Sequence, residues 1–160
     1  MSKDIILIIG ASSDIGIDLI KNIDEDALIL AHYNSSNKGL SELSNKIDKE
    51  LVVIKADLSI EDETISMIED IENKYGIPNK IIHLAATKFE NIRFKDVKLD
   101  DFQNDLEISL KSLIIILNKF LPKLAKEKQG KVVCVLSSVV LNIPPKALTQ
   151  YTTIKYALLG

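Results

Sequence analysis

Five short apolar runs, at residues 5–9, 27–31, 51–54, 80–86 and 131–137, are continuous rather than alternating. A strand covered on one face alternates apolar with polar residues. A strand buried on both faces reads as an unbroken apolar run, and such strands belong to parallel sheets. Helical patterns lie between the runs. Ile15, Leu19, Ile20 and Ile23 share one helical face, Leu40, Leu43 and Ile47 a second, and Ile65, Ile68 and Ile71 a third. The longest pattern spans residues 100–124, where Phe102, Leu106, Leu110, Leu113, Leu117, Leu121 and Leu124 keep helical spacing; a last helix begins near Thr149. Gly76-Ile77-Pro78 stops the third helix, and Gly130 ends the loop after the fourth. Strand and helix alternate, which calls for right-handed crossovers and helices on both faces of one parallel sheet. The predicted fold class is α/β, a doubly wound, three-layer, Rossmann-like sheet of order 3-2-1-4-5.

The 160 residues suit a single domain, and 46% hydrophobic content suffices for a core. A net charge of −3, with lysines scattered among acids, argues against a nucleic-acid partner. The single cysteine, Cys134, lies in an apolar run and reads as a small core residue; with no possible intrachain disulfide, a reducing compartment fits best. No signal peptide and no run of membrane-spanning length is found, so the expectation is a cytoplasmic protein with no membrane partner.

The first strand runs into Gly10-Ala11-Ser12-Ser13-Asp14-Ile15-Gly16, and a helix follows at once. Gly10 permits a sharp turn, the small residues after it let a ligand approach the backbone, and free amides at the helix start favour a pyrophosphate. Gly16 lets helix and strand lie close. Two glycines six apart are weak alone; the place after the first strand of an alternating chain strengthens them. Asp57 follows the third strand, as a turn or cap residue or as an acceptor for an adenine amino group.

Ser137 and Ser138 close the fifth run, Tyr151 comes thirteen residues after Ser138, and Lys155 four later. Positions i and i+4 share a helical face, so phenol and ammonium reach the same cleft. The set suits carbonyl–alcohol conversion. Hydride reduction leaves an alkoxide that needs a proton; a phenol is a donor, and a cation beside it favours the phenolate. A serine hydroxyl can hold the carbonyl oxygen.

On these residues the whole chain resembles the short-chain dehydrogenase/reductase family, in the branch that includes the 3-oxoacyl-acyl-carrier-protein reductases. The resemblance implies Ser138, Tyr151 and Lys155 as catalytic residues, with Ser109 where the family's helix Asn stands. It implies a nicotinamide dinucleotide on Gly10, Ser12, Ser13, Asp14, Ile15 and Gly16, on His32, Asn34 and Ser35 after the second strand, and on Asp57 and Leu58. Ala85, Ala86, Tyr151 and Lys155 complete that set, and no metal is expected. Asp14 replaces the middle glycine, and His83-Leu84-Ala85-Ala86 replaces an Asn-Asn-Ala-Gly stretch, wording closer to the sugar-nucleotide branch; His83 itself reads as a strand-end residue. Family members continue beyond the position of Gly160, so the chain reads as C-terminally incomplete. Residues 31–36 hold no acid to repel a 2′-phosphate, which gives NADP(H) a slight preference over NAD(H). The substrate is a small carbonyl or alcohol. Alternatives are a non-catalytic nucleotide-binding module and a sugar-nucleotide epimerase or dehydratase. The apolar girdle at residues 113–117 predicts a homodimer or homotetramer through the 100–124 helix and the last helix.

Overall fold

The computed structural model describes residues 3–88 and 90–160. Five parallel strands, β1 (Asp4–Ile9), β2 (Ala27–Tyr33), β3 (Glu50–Lys55), β4 (Lys80–His83) and β5 (Lys131–Cys134), form one sheet of order β3-β2-β1-β4-β5. The helices are α1 (Asp14–Lys21), α2 (Lys38–Ser44), α3 (Glu61–Tyr75), α4 (Leu99–Leu106), α5 (Ser112–Glu127) and α6 (Thr149–Leu159). Alternate side chains of β1 and β2 point to opposite faces. Leu7, Ile9, Leu28 and Leu30 meet Met67, Ile68 and Ile71 of α3 and Ile116, Phe120 and Leu124 of α5. Ile6, Ile8, Ile29 and Ala31 meet Ile20 of α1 and Leu40 and Leu43 of α2. The doubly wound, three-layer arrangement is therefore as predicted.

Three expectations change. β4 and β5 end three residues early, because residues 84–86 and 135–137 leave the ladder to shape the sheet's carboxyl edge. β5 is not buried on both faces: among the described residues only β4 pairs with it, and Val132 and Val133 are exposed. Ile15 is exposed as well, and the inner face of α1 is Gly16 and Ile20.

The 100–124 helix is present but not uniformly α-helical. A single π-turn, Glu107–Lys111, separates α4 from α5. The wider turn rotates everything after it relative to a straight helix. The buried line runs through Asp105, Ser109, Ser112, Leu113, Ile116, Phe120 and Leu124, whereas Leu121, placed on the inner stripe by spacing, is exposed with Ile114. The Ser112 hydroxyl donates to the Ile108 carbonyl at 2.5 Å and supplies one acceptor with a partner inside this widened turn.

Candidate active site

The turn after β1 is built from its own side chains. Gly10 takes φ +80°, and a Cβ there would stand 2.8 Å from the Ala85 amide nitrogen. Only glycine allows this approach of two backbones. Ser13 caps α1: its Oγ accepts from the Gly16 amide at 3.2 Å and donates to the Gly10 carbonyl at 2.9 Å. Asp14 occupies the first turn, where a carboxylate suits the helix dipole.

His32 holds this turn from beneath. The ring is 2% exposed, and its Nδ1 accepts from the Gly10 amide at 3.1 Å. That bond settles the tautomer, so Nε2 donates to the Ala56 carbonyl at 3.0 Å. Burial holds its pKa below the ordinary histidine value, countered by the Ala56 bond and the Asp57 charge. Both nitrogens are used inside the protein, so His32, which lines the cleft described below, shapes the turn through its ring.

Asp57 shapes the entry to α3. One carboxylate oxygen accepts from the Ser59 hydroxyl at 2.6 Å and the Ser59 amide at 2.9 Å. The Ser59 hydroxyl is the main reason that its pKa lies below the usual carboxylate range. The turn-residue role is what this geometry displays.

A cleft of about 430 Å³ gathers Gly10, Ser12, Ser13, His32, Asn34 and Leu58 on one side, and Leu84, Ala85, Ala86, Thr87, Lys88 and Ile108 on the other. Of the residues expected around a dinucleotide, Asp14, Ile15, Gly16, Ser35, Asp57, Tyr151 and Lys155 do not line it. Thr87, Lys88 and Ile108 do, and no spacing in the sequence singled them out.

A second cleft, about 210 Å³, adjoins the first and shares Thr87 and Lys88 with it. Tyr151 lines it, with Ile92, Asp105, Leu148 and Gln150. The loop after β4 is clamped here, because the Ile92 amide donates to the Ala147 carbonyl at 2.8 Å. Ala147 sits at φ +64°, a left-handed conformation that costs a side-chain-bearing residue energy and marks a constrained site. Gln150 donates to the nearly buried Asp105 carboxylate.

One turn after Tyr151 on α6, Lys155 is 5% exposed and its Nζ donates to the Val135 carbonyl at 3.0 Å. The same ammonium lies 5.8 Å from the centre of the Tyr151 ring. Phenol and ammonium thus share a helix face, as their spacing requires. Ser138 is exposed at the start of a short 3-10 turn, Ser138–Val140, that packs against α6; it does not line the Tyr151 cleft. Ser109 is buried in the π-turn, which also packs against α6. Cys134 is half-buried, and burial pushes its thiol pKa up, with the Lys155 charge opposing.

A glycine turn at the carboxyl edge of a 3-2-1-4-5 sheet, beside a helix carrying Tyr and Lys, defines a doubly wound dehydrogenase class. The family description "short chain dehydrogenase" matches residues 4–160, and the chain belongs to that family of oxidoreductases. It is 20% identical over 158 residues to an uncharacterized oxidoreductase of Staphylococcus epidermidis, covering 99% of this chain and 68% of that one. It is 25% identical to an NADPH-dependent pterin aldehyde reductase of Arabidopsis thaliana, covering 80% and 54%. It is 21% identical to a 3-oxoacyl-[acyl-carrier-protein] reductase of Buchnera aphidicola, covering 99% and 64%. Among solved structures, a short-chain dehydrogenase of Streptomyces avermitilis superposes with TM-score 0.87 at 17% identity, over 98% of this chain and 57% of that one. The chain thus spans between about half and two thirds of the length of these relatives. Among the described residues no helix is long and apolar enough to cross a membrane.

Proposed function

We propose that the protein interconverts a carbonyl and a secondary alcohol with a nicotinamide dinucleotide. The observation that carries this reading is the pair of adjoining clefts, one holding the glycine turn, the other Tyr151, with Thr87 and Lys88 common to both. The first suits a dinucleotide because the Gly10–Ser13 turn lines it, and its small side chains let a ligand approach the backbone. The cofactor, when bound, supplies or accepts the hydride. Tyr151 gives a proton to the alkoxide oxygen on reduction and recovers it on oxidation. Lys155, anchored on Val135, keeps positive charge beside the phenol. Ser138 orients the carbonyl oxygen, which requires its exposed turn to close on the substrate.

NADP(H) is the preferred cofactor. Asn34 lines the first cleft, Lys88 enters it from the facing loop, and no acid ends β2. The Arabidopsis relative's name points the same way. We further propose self-association through α5 and α6, supported by exposed Ile114, Leu121, Tyr156 and Leu159. In the full-length protein, Tyr151→Phe is expected to abolish turnover of a carbonyl panel while cofactor affinity stays within about twofold. Lys155→Ala is expected to weaken both. Retained turnover in Tyr151→Phe refutes the assignment of the proton donor.

A further inference from the structure

His83 ends β4 and is 1% exposed, yet its Nε2 has no hydrogen-bond partner. Buried polar atoms in native proteins are satisfied by protein or by ordered water. An orphan at the carboxyl edge of a ligand-binding sheet therefore needs an occupant. Ile81, two residues earlier on the same strand face, packs among Ile9, Ile116 and Phe120, so His83 faces the layer that holds α3 and α5.

The backbone of His83 is linked to Lys155 through one residue. The Val135 amide donates to the His83 carbonyl at 3.0 Å, and the Val135 carbonyl accepts from Lys155 Nζ at 3.0 Å. An ammonium has three donors, and this bond uses one. We infer that His83 is a positioning residue for Lys155: its unpaired Nε2 accepts from a water that also accepts from the Lys155 ammonium.

The neighbouring charges agree with this arrangement. Burial, then the Lys155 cation on α6 and the His32 ring on β2, lower the His83 pKa to about 4. The only residue registered opposite His83 on β5 is Cys134, whose thiol is neutral. His83 is thus an uncharged ring at working pH. A lone pair aimed toward the cation is favoured over an N–H, which places the ring hydrogen on Nδ1. The water needs at least two polar partners, and Nε2 with one ammonium hydrogen supplies them. His83 takes up no proton; it keeps the ammonium and its water in place while Tyr151 exchanges its proton.

This inference rests on the oxidoreductase reading, and the test separates the two. In the full-length protein, His83→Leu removes the acceptor and His83→Asn offers an amide oxygen instead. His83→Leu is expected to lower kcat about tenfold with KM for the carbonyl unchanged. A less firmly held ammonium supports the phenolate less, so the alkaline limb of kcat for carbonyl reduction moves up by about half a pH unit. His83→Asn returns both toward wild type. Nitrogen-15 NMR of the imidazoles needs no turnover: it is expected to show Nε2 unprotonated at neutral pH, and Lys155→Met to raise the His83 midpoint. A protonated Nε2, a midpoint unmoved by Lys155→Met, or a folded His83→Leu with the wild-type kcat profile overturns the inference. If the full-length protein turns over no carbonyl or alcohol with either nicotinamide cofactor, the oxidoreductase reading fails, and the NMR result still decides His83.

Discussion

Replacing Gly16 with alanine tests how closely α1 must lie against the end of β1. A Cβ at Gly16 would stand 2.4 Å from the Ala11 carbonyl oxygen and 2.7 Å from its carbonyl carbon and Cα. Ordinary contact begins roughly 1 Å further out. Neither side yields easily, because both are backbone: Ala11 is fully buried and its amide donates to the His32 carbonyl at 2.8 Å. Overpacking of this kind costs about 1–3 kcal/mol and more where only backbone can move. The helix-propensity gain of alanine over glycine returns about 1 kcal/mol at most. Gly39 in α2 is the matched control. Its added Cβ meets only the Ile17 Cδ1 at 2.5 Å, the far end of a side chain that can change rotamer. Gly39→Ala is therefore expected to be neutral or to stabilise by up to about 1 kcal/mol, and Gly16→Ala to destabilise by about 1–2 kcal/mol. At about 2–4 °C per kcal/mol for a chain of this size, the two melting temperatures should differ by roughly 2–12 °C. Thermal and urea melts of both variants measure the gap, and Gly16→Ala should also weaken dinucleotide binding. Equal stability of the two variants refutes the steric argument.

Asn34→Asp places a carboxylate in the first cleft, and titration of both reduced cofactors should show NADPH affinity falling at least about tenfold relative to NADH. Tighter NADH binding by the wild type would contradict the proposed preference. His83 gives a pH dependence. Below its ordinary value of 6.5 the unfolded chain takes a proton that the folded chain refuses until about pH 4. The contribution is therefore complete above pH 6.5 and is lost as pH falls through that window, on the order of 3 kcal/mol in all. Urea titrations between pH 4 and 7 should show this slope in the wild type and a flatter one in His83→Leu. Light scattering at high micromolar concentration should show an oligomer that Leu121→Lys dissociates, and a clean wild-type monomer would refute the proposed interface.

The strand order, the layers and the helix-bounded glycine turn were legible in the sequence, because burial on both faces leaves an unbroken apolar run and 3.6-residue spacing marks a helix wherever it lies. The Tyr151–Lys155 pair was legible for the same reason: four residues apart on a helix means one face. Other features depended on what lies across from a residue, which no local pattern encodes. Val132 and Val133 carry the apolar signature of a core strand and are exposed; among the described residues β5 pairs with β4 alone. The leucine stripe of residues 100–124 reads as one helix, and the π-turn that rotates its second half is stabilised by contacts with α6 and by the Ser112 bond. His32 was expected beside a dinucleotide, and its part in holding the glycine turn was not legible. Folding brings Gly10 and Ala56, from two other parts of the chain, onto its two nitrogens. His83 looked like a simple strand end; only the fold shows its Nε2 buried without a partner and brings the Lys155 charge close enough to lower its pKa. Sequence determined the elements and the periodic faces because those are local; the tertiary structure decided hydrogen-bond partners, exposure and charge environment because they arise from chain segments far apart in sequence.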